Sequence, residues 1–210
     1  IYIYIYIYMY TNNNINYKKK YLKYKQKYLK YKTKYLKLKY NGGSNSLIRK
    51  INNLYNNTEN IYGIYHKKYN TTYGELELTE ISKIFKHLKL NSSDVFYDLG
   101  CGSGKINFYV AEKYNIKSIG IEIIEKRYKV AESIRKKIKN NKLFYIYNDI
   151  FNVDLSNGTI FYTYNLTWGN EVNNNKIKKI RNTAKKCKYI ISSIILPSCK
   201  LYKSIDVKFS

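Results

Sequence analysis

The sequence predicts an α/β fold, in which a mostly parallel sheet is covered by helices on both faces. Hydrophobic residues make up 44% of the 210 residues, which is enough for a sizeable core and excludes a wholly disordered chain. Short apolar runs alternate with segments of helical periodicity, and a glycine-rich turn joins one such run to the next helix. Strands and helices that alternate in this way are typical of parallel sheets.

The predicted elements follow one another from residue 75 onwards. A helix with apolar residues at helical spacing comes first, at 75–90, and a buried strand that ends in a glycine turn follows at 94–100. The other predicted strands are 117–122, 143–149, 159–165, 188–195 and a last one after Pro197. The other predicted helices are 103–114, 125–140 and 171–186, of which 125–140 is expected to be a solvated outer face.

A basic low-complexity arm, residues 1–50, precedes the predicted globular domain, residues 51–210. Residues 1–58 contain no acidic residue, and 21–40 repeat a seven-residue unit of the form YLKYKQK. As a helix, this repeat would have an aromatic face flanked by lysines, which disfavours self-pairing and favours an acidic partner: nucleic acid, an acidic protein or an anionic membrane surface. A solvated arm that only reflects base composition is the alternative, and 41–46 is interpreted as a flexible joint.

The first eight residues alternate isoleucine and tyrosine. An AT dinucleotide repeat encodes this alternation, and Met9, the only methionine of the chain, favours a translation start after it. We therefore expect residues 1–8 to be untranslated or without function. The alternative is a strand, because the alternation has a period of two, but no partner strand follows nearby.

The chain has a formal net charge of +25, with 39 Lys and Arg against 14 Asp and Glu. This charge suits a nucleic-acid or membrane surface, but Lys, Asn, Tyr and Ile have AT-rich codons, so base composition is a second explanation. The three cysteines form no Cys-x-x-Cys pair, and neither a metal site nor a disulfide is expected. No apolar run reaches the roughly 18 residues of a membrane span. The expectation is an intracellular protein of the cytoplasm or nucleus.

The strongest chemical signal is DLGCGSG, which begins at Asp98, at the junction of a predicted strand and helix. Gly100, Gly102 and Gly104 allow backbone N–H groups to approach a ligand, and the start of the helix adds partial positive charge. Glu122 ends the next strand, where an acid accepts hydrogen bonds from the two hydroxyls of a ribose. The Gly-Lys-Ser/Thr of a P-loop is absent from this turn, which excludes an NTPase of that class.

Asp98 distinguishes between two classes of nucleotide-cofactor enzyme. Its carboxylate would repel the pyrophosphate of a dinucleotide, whereas it suits the ammonium and sulfonium charges of S-adenosylmethionine. Together with GIE at the end of the next strand and NDI after a later one, the glycine turn resembles that of class I S-adenosylmethionine-dependent methyltransferases, which have a Rossmann-like fold. The resemblance implies that Asp149 holds the adenine amino group and that Ile150 and Phe151 cover the ring. It also places Lys105 at the cofactor.

A narrower resemblance comes from two further motifs. A Tyr-Gly-Glu motif lies at 73–75, and YNLTWGNEV occupies 164–172. This pair is similar to motifs of the disruptor-of-telomeric-silencing family, the histone-lysine methyltransferases without a SET domain. The resemblance covers roughly residues 61–197. It implies that 73–75 covers the methionine end of the cofactor and that 164–172 lies beside a channel for the substrate lysine.

The resemblance to this family gives the implied site residues. Tyr73, Asn165 and Trp168 would form the catalytic site, with Tyr164 as a further wall of an aromatic channel. Such a channel lowers the pKa of the substrate amine by desolvation, so that the neutral amine accepts the methyl group. The cofactor-binding residues implied are Tyr73, Gly74, Glu75, Asp98, Gly100, Gly102, Gly104, Lys105, Glu122, Asp149 and Ile150.

The chain departs from the pattern of this family in three places. Leu76 follows the Tyr-Gly-Glu motif, where the family has a threonine that contacts the cofactor. Only one strand's length follows Pro197, so the C-terminal hairpin of the fold is expected to be short or missing. The helical region that precedes the motif in the family is replaced by the lysine–tyrosine repeats.

The resemblance implies a protein-lysine methyltransferase, with a nucleosomal histone as the favoured substrate and nucleic acid held through residues 17–50. A second hypothesis is an RNA or DNA methyltransferase, because the charge suits a phosphate backbone. Against methylation of base amines, the Asn/Asp-Pro-Pro-aromatic motif is replaced by YNLTW. A third hypothesis is a degenerate cofactor fold that binds without catalysis. The lysine–tyrosine arm is also similar to N-termini in giant viruses of protists, which would place the protein in a host cell.

Overall fold

The computed structural model of the protein describes residues 2–7, 46–56, 58, 61, 64, 73–166, 168–196 and 199–207. The strands in these ranges are β1 (Tyr2–Ile7), β2 (Val95–Leu99), β3 (Lys117–Glu122), β4 (Leu143–Tyr147), β5 (Ile160–Thr163), β6 (Tyr189–Ser192) and β7 (Leu201–Asp206). The helices are α1 (46–56), α2 (Leu78–Phe85), α3 (Lys105–Tyr114), α4 (Glu125–Ile138) and α5 (Asn170–Thr183), with a 3-10 turn at Ile150–Asn152. None of the described helices is long and apolar enough to cross a membrane.

The strands form one sheet in the order β4-β3-β2-β5-β6-β1-β7. The five strands β2 to β6 run parallel to one another, so the predicted mostly parallel sheet is confirmed. The chain winds from β2 outwards to β4 and then returns to the other side of β2 with β5. Open parallel sheets bind ligands at such a reversal, outside the carboxyl ends of the strands. Here the reversal lies between β2 and β5, where Asp98 pairs with Tyr162.

The central strands are buried on both faces, because successive side chains of each strand enter two separate cores. On one face, Phe96 of β2 and Tyr162 of β5 belong to a core that includes side chains of α1 to α4. On the other face, Tyr97 and Phe161 stack with their ring centroids 5.5 Å apart and share a core with Ile177 of α5. Helices therefore cover both faces of the sheet, as predicted.

β1 lies inside the sheet, between β6 and β7, and is antiparallel to both. Tyr4 is opposite Ser192 of β6, Tyr2 is opposite Asp206 of β7, and Ile3 is fully buried. The strand alternative is therefore correct for residues 2–7. The argument against a strand failed because it required a partner strand nearby in sequence, whereas both partners lie near the other end of the chain.

The two ends of the predicted domain differ from the prediction in different degrees. One strand, β7, is described after residue 197, as predicted, and β1 fills the position between β6 and β7. At the other end, α1 crosses the predicted boundary at residue 50, and its Ile51 is fully buried in the core. The lysine–tyrosine repeats at 21–40 and residues 41–45 of the predicted joint lie outside the described residues.

Candidate functional site

A cavity of about 740 Å³ opens at the carboxyl ends of β2, β3, β4 and β5. This volume is within the range of small-molecule sites. The predicted site residues that line it are Tyr73, Gly74, Glu75, Asp98, Gly100, Glu122, Asp149, Ile150 and Trp168. The loops after these strands, together with segment 73–75, therefore converge on one site.

Three glycines in the left-handed region shape the turn between β2 and α3. The φ angles of Gly100, Gly102 and Gly104 are +93°, +56° and +78°, values that other residues adopt only with strain. A Cβ added to Gly102 would lie 2.2 Å from Cε2 of Tyr73, so no side chain fits there. The N–H of Gly102 donates to Oε2 of Glu122 at 2.7 Å. The turn is thus narrow, and its backbone is fixed from the adjacent strand.

Glu122, at the end of β3, is buried and fixes two loops at the cavity wall. Besides the bond from Gly102, its Oε1 accepts the N–H groups of Ile123 at 2.9 Å and Ile124 at 2.8 Å. Burial raises the pKa of Glu122, while these donors and the charge of Arg127 oppose the rise. One carboxylate therefore holds both the glycine turn and the entry into α4.

The cavity is acidic, although the whole chain has a net charge of +25. Asp98 is 2% exposed at the end of β2. Burial and the neighbouring carboxylates of Glu122 and Glu75 raise the pKa of Asp98 well above its usual value. Asp149 is a fourth acid in the wall, and Arg127 is the only basic side chain among the described lining residues. A ligand with positive charge would relieve this repulsion, whereas a phosphate would add to it.

Segment 73–75 lies over the glycine turn and is bound to it through side chains. The hydroxyl of Tyr73 donates to Oε1 of Glu75, and Oγ of Ser103 donates to the same oxygen at 2.8 Å. The guanidinium carbon of Arg127, on α4, lies 4.7 Å from the centroid of the Tyr73 ring, a cation–π contact. Burial and the charge of Glu75 raise the pKa of Tyr73, so its hydroxyl stays protonated. The segment is therefore held from two sides.

A second part of the wall follows β4. Oδ1 of Asp149 accepts the N–H of Phe151 at 2.9 Å and so caps the 3-10 turn. Ile150 and Phe151 line the cavity beside it, and Phe151 is 38% exposed. An acid next to two apolar side chains suits a flat ring that bears an amino group, such as adenine.

Aromatic side chains that follow β5 complete the wall. A Cβ on Gly100 would lie 3.1 Å from Cζ2 of Trp168, and a Cβ on Gly74 would lie 3.7 Å from Cε1 of Tyr164, so both rings contact these backbones. Tyr162 also lines the cavity, and its buried hydroxyl has no hydrogen-bond partner within the described ranges. Trp168 and Tyr164 are therefore next to the loops predicted to hold the methionine end of the cofactor.

Asn165 differs from its prediction as a residue that contacts amine or cofactor. It is 1% exposed and does not line the cavity. Its Oδ1 accepts from Oγ of Ser193 at 2.8 Å, and its Nδ2 donates to Asn173 at 2.9 Å. Nδ2 of Asn173 in turn donates to the carbonyl of Trp168 at 2.9 Å. Asn165 therefore acts behind the wall, where its amide fixes the loop that carries Trp168.

Three other predicted site residues also lie behind the wall rather than in it. Gly102 and Gly104 shape the turn, and a Cβ on Gly104 would lie 2.3 Å from the ring of Tyr145. Lys105 is the first residue of α3 and does not line the cavity. Leu76, where the family has threonine, is 2% exposed and packs in the core.

Sequence reasoning missed two basic residues that touch the aromatic wall. Arg127 is 4% exposed, although its helix was expected to be a solvated face, and Lys176 of α5 is 2% exposed. The helical period could have identified both. Arg127 precedes the buried Val130 by three residues, and Lys176 precedes the buried Ile180 by four, so each lies on the inner face of its helix.

The chain is similar to known methyltransferases in sequence. The family model described as histone methylation protein DOT1 matches residues 52–207. A curated protein-lysine N-methyltransferase of Saccharolobus islandicus is 31% identical over 101 residues, which are 47% of this chain and 63% of that protein. A histone-lysine N-methyltransferase of Chaetomium globosum, H3 lysine-79 specific, is 38% identical over 72 residues, 34% of this chain and 14% of that protein. The chain thus spans less than two thirds of either relative.

Among solved structures, an RNA methyltransferase from Salinibacter ruber in complex with S-adenosyl-L-homocysteine has a TM-score of 0.45 and 24% identity. The likeness covers 50% of this chain and 67% of that chain.

The chemistry of the cavity fits one cofactor. The glycine turn lets backbone approach the ligand closely, and the carboxylates suit a cationic methionine end and a ribose. Ile150 and Phe151 suit an adenine ring. The family match covers far more than half of the chain. The chain therefore belongs to the DOT1 family of histone methylation proteins, it has the fold of class I methyltransferases, and its cofactor is S-adenosylmethionine.

Proposed function

We propose that this chain transfers a methyl group to the ε-amine of a lysine in a protein, with a nucleosomal histone as substrate. The observation that carries the proposal is the composition of the cavity, which is acidic and aromatic in a strongly basic chain. S-adenosylmethionine supplies an activated methyl group, so the protein has to bind and orient the two reactants and to exclude water.

Each part of the cofactor has residues in the wall that suit it. Asp98 and segment 73–75 would hold the cationic methionine end, where the carboxylates of Glu122 and Glu75 lie close enough to raise the pKa of Asp98. Glu122 would accept hydrogen bonds from the ribose, because its position at the end of β3 is the one that nucleotide-binding sheets use. Asp149 would accept from the adenine amino group, between Ile150 and the exposed ring of the following residue.

The acceptor side of the cavity suits an aliphatic side chain with an amine at its end. Tyr164 and Trp168 give an aromatic wall beside the glycine turn. Leu166 and Val172 continue this wall to the surface, where they are 44% and 41% exposed. Lysine would place its methylene groups against this rim, and desolvation between the rings would lower the pKa of its amine.

The same features disfavour the second hypothesis, methylation of RNA or DNA. A nucleic-acid substrate brings phosphates to the rim, and its binding depends on lysine and arginine side chains. The rim around Leu166 and Val172 is apolar, and the described wall holds one basic residue, the buried Arg127. The net charge of +25 is the observation that favours nucleic acid, and it suits contact with nucleosomal DNA as well.

The test is methyl transfer from labelled S-adenosylmethionine to three acceptors side by side: nucleosomes, free core histones and bulk RNA. We expect label on nucleosomal histone, and no label with the Asp98→Asn protein. Label on RNA alone would overturn the proposal in favour of the nucleic-acid hypothesis. If no acceptor is labelled although the cofactor binds, the substrate assigned here is wrong. If the cofactor does not bind either, the third hypothesis, a non-catalytic module, replaces it.

Cofactor binding should strengthen as pH rises and should release protons. The raised pKa of Asp98 means that part of its population is protonated in the free protein at a pH where other aspartates are ionised. A bound cation favours the ionised carboxylate, so binding expels that proton, and a falling pH weakens binding. Calorimetry in two buffers of different ionisation enthalpy measures the proton release. Asp98→Asn should reduce it, and proton uptake by the wild type would contradict the account.

A further inference from the structure

Lys176 lies behind the aromatic wall, in a place where a lysine is unusual. It is 2% exposed and faces inward from α5 beside Asn173 and Ile177. Its Nζ donates to Oγ1 of Thr163 at 2.9 Å and lies 3.2 Å from the centroid of the Trp168 ring. Neither partner is acidic, and within the described ranges no carboxylate pairs with this amine. The side chain is therefore a buried amine that contacts one cavity residue, Trp168.

The environment of Lys176 favours the uncharged amine. An ammonium group has three donors and needs all three hydrated or bonded. One hydroxyl and one ring face replace only part of the hydration shell, even though the ring attracts a cation. Accordingly, burial lowers the pKa of Lys176 to about 6. In neutral solution the amine is thus an uncharged group packed against Trp168.

Trp168 connects this amine to the cofactor turn. The edge of its ring lies over Gly100, and its face is next to Lys176. Its backbone is held by Asn173, whose Nδ2 donates to the Trp168 carbonyl. Because the loop backbone is held in this way, a change in the space that the Lys176 side chain occupies would displace the Trp168 ring rather than the loop. The ring would then move relative to the glycine turn.

We propose that uncharged Lys176 is a positioning residue that holds the Trp168 ring against the cofactor turn, and that protonation of this one amine displaces the ring and slows methyl transfer. The displacement follows because the ammonium must move toward water or draw water in, and Trp168 lies between it and the cavity. The predicted effect on methyl transfer rests on the proposed function, whereas the predicted displacement of the Trp168 ring does not.

Several titratable groups lie on the elements around Lys176, and their titration has to be separated from its own. They are Glu171 and Lys179 on α5 itself, Tyr162 on β5, Tyr189 on β6, and Asp149 and Asp154 on either side of the 3-10 turn. None of them pairs with Lys176 among the described residues. Lys176→Met keeps all of these groups and the length of the side chain, so a difference from the wild type isolates the amine.

The first experiment is a fluorescence titration without cofactor. Trp168 is the only tryptophan of the chain, so its emission reports this ring alone. We expect the wild-type emission to change between about pH 5 and about pH 8, with one midpoint far below the ordinary pKa of lysine. Lys176→Met should show no such transition. The same transition in both proteins, or none in the wild type, would overturn the proposal, whatever the enzyme activity.

The second experiment measures the transfer rate at saturating cofactor, because protonation of Asp98 in acid also weakens the binding of the cofactor. We expect the wild-type rate to fall severalfold from about pH 8 to about pH 6, with the midpoint of the fluorescence transition. Protonation of the substrate amine slows transfer in every variant as the pH falls, so Lys176→Met should lack only the step that has this midpoint. Lys176→Arg, which stays charged, should be slow throughout. A wild-type rate that rises in acid would mean that the ammonium holds the ring better than the amine does, and the proposal would be wrong.

Stability gives a third readout that shows whether the amine is uncharged in the fold. With a lowered pKa in the folded state, the unfolded chain binds the extra proton between about pH 6 and about pH 10, so wild-type stability rises with pH in that window. The urea midpoint of Lys176→Met should therefore exceed that of the wild type most near about pH 6, and the gap should narrow toward about pH 9. A constant gap would contradict an uncharged Lys176.

Discussion

A chain that begins at Met9 should fail to form the stable domain, because it lacks β1. That strand pairs with β6 on one side and β7 on the other, and β7 has no other neighbour in the described sheet. Its loss therefore removes two strands and leaves one edge of β6 unpaired. The side chain of Ile3 is fully buried, and truncation of such a side chain to alanine costs ~2–5 kcal/mol. Domains of this size have roughly 5–15 kcal/mol in total, so we expect most of the stability to be lost.

Urea unfolding of the full chain and of the chain from Met9 measures this loss. The full chain carries Met9→Leu, so that no shorter product contaminates it. Ile3→Val is the matched control, because it removes one methylene and should cost about 1 kcal/mol. Equal midpoints for the long and the short chain would show that β1 does not belong to the sheet in solution.

Gly102→Ala should weaken the binding of S-adenosylmethionine about a hundredfold, which is ~2.7 kcal/mol. The φ angle of +56° strains any residue with a Cβ, and the added atom would lie 2.2 Å from the ring of Tyr73. The Tyr73 ring cannot move away without losing two contacts, because Arg127 lies over the ring and the Tyr73 hydroxyl donates to Glu75. The alanine therefore displaces segment 73–75 from the turn, and with it a part of the wall predicted to cover the cofactor.

Gly74→Ala is the matched control for this substitution. Gly74 also lines the cavity, but a Cβ there would meet Tyr164 at 3.7 Å, an ordinary contact. Its binding should stay within about threefold of the wild type, well below one kcal/mol. Calorimetric titration of both variants, with circular dichroism to confirm folding, gives the comparison. Equal affinities for Gly102→Ala and the wild type would mean that segment 73–75 does not cover the cofactor.

Local pattern was enough to predict the alternating core of this fold. β3 has the predicted bounds, 117–122, because its apolar run ends at the acid that the glycine turn needs. The turn itself was predictable, since three glycines between a buried strand and a helix leave few alternatives. β1 was not, because its partners are distant in sequence and nothing near residues 1–8 indicates them.

The site residues could be predicted where the site consists of a glycine turn and of acidic residues at strand ends. They were harder to predict where a role depends on side-chain packing. Asp98 and Glu122 follow from strand ends, and both reach the cavity. Asn165 has the residue type of a ligand-binding group, but Ser193 and Asn173 take up its amide, which only the tertiary structure reveals. The sequence does not distinguish Lys176 from the other lysines of this basic chain. Only the packing of the inner face of α5 on β5 places its amine next to Trp168.

Mass spectrometry of the methylated product tests the central claim most directly, because it identifies the atom that receives the methyl group. Nucleosomes are incubated with the protein and S-adenosylmethionine, and histone peptides and nucleosides of the bound DNA are analysed from the same reaction. We expect a mass increase of one methyl group or more on a lysine ε-amine, present with Gly74→Ala and strongly reduced with Gly102→Ala. Methyl groups on nucleosides, with unmodified histone lysines, would contradict it.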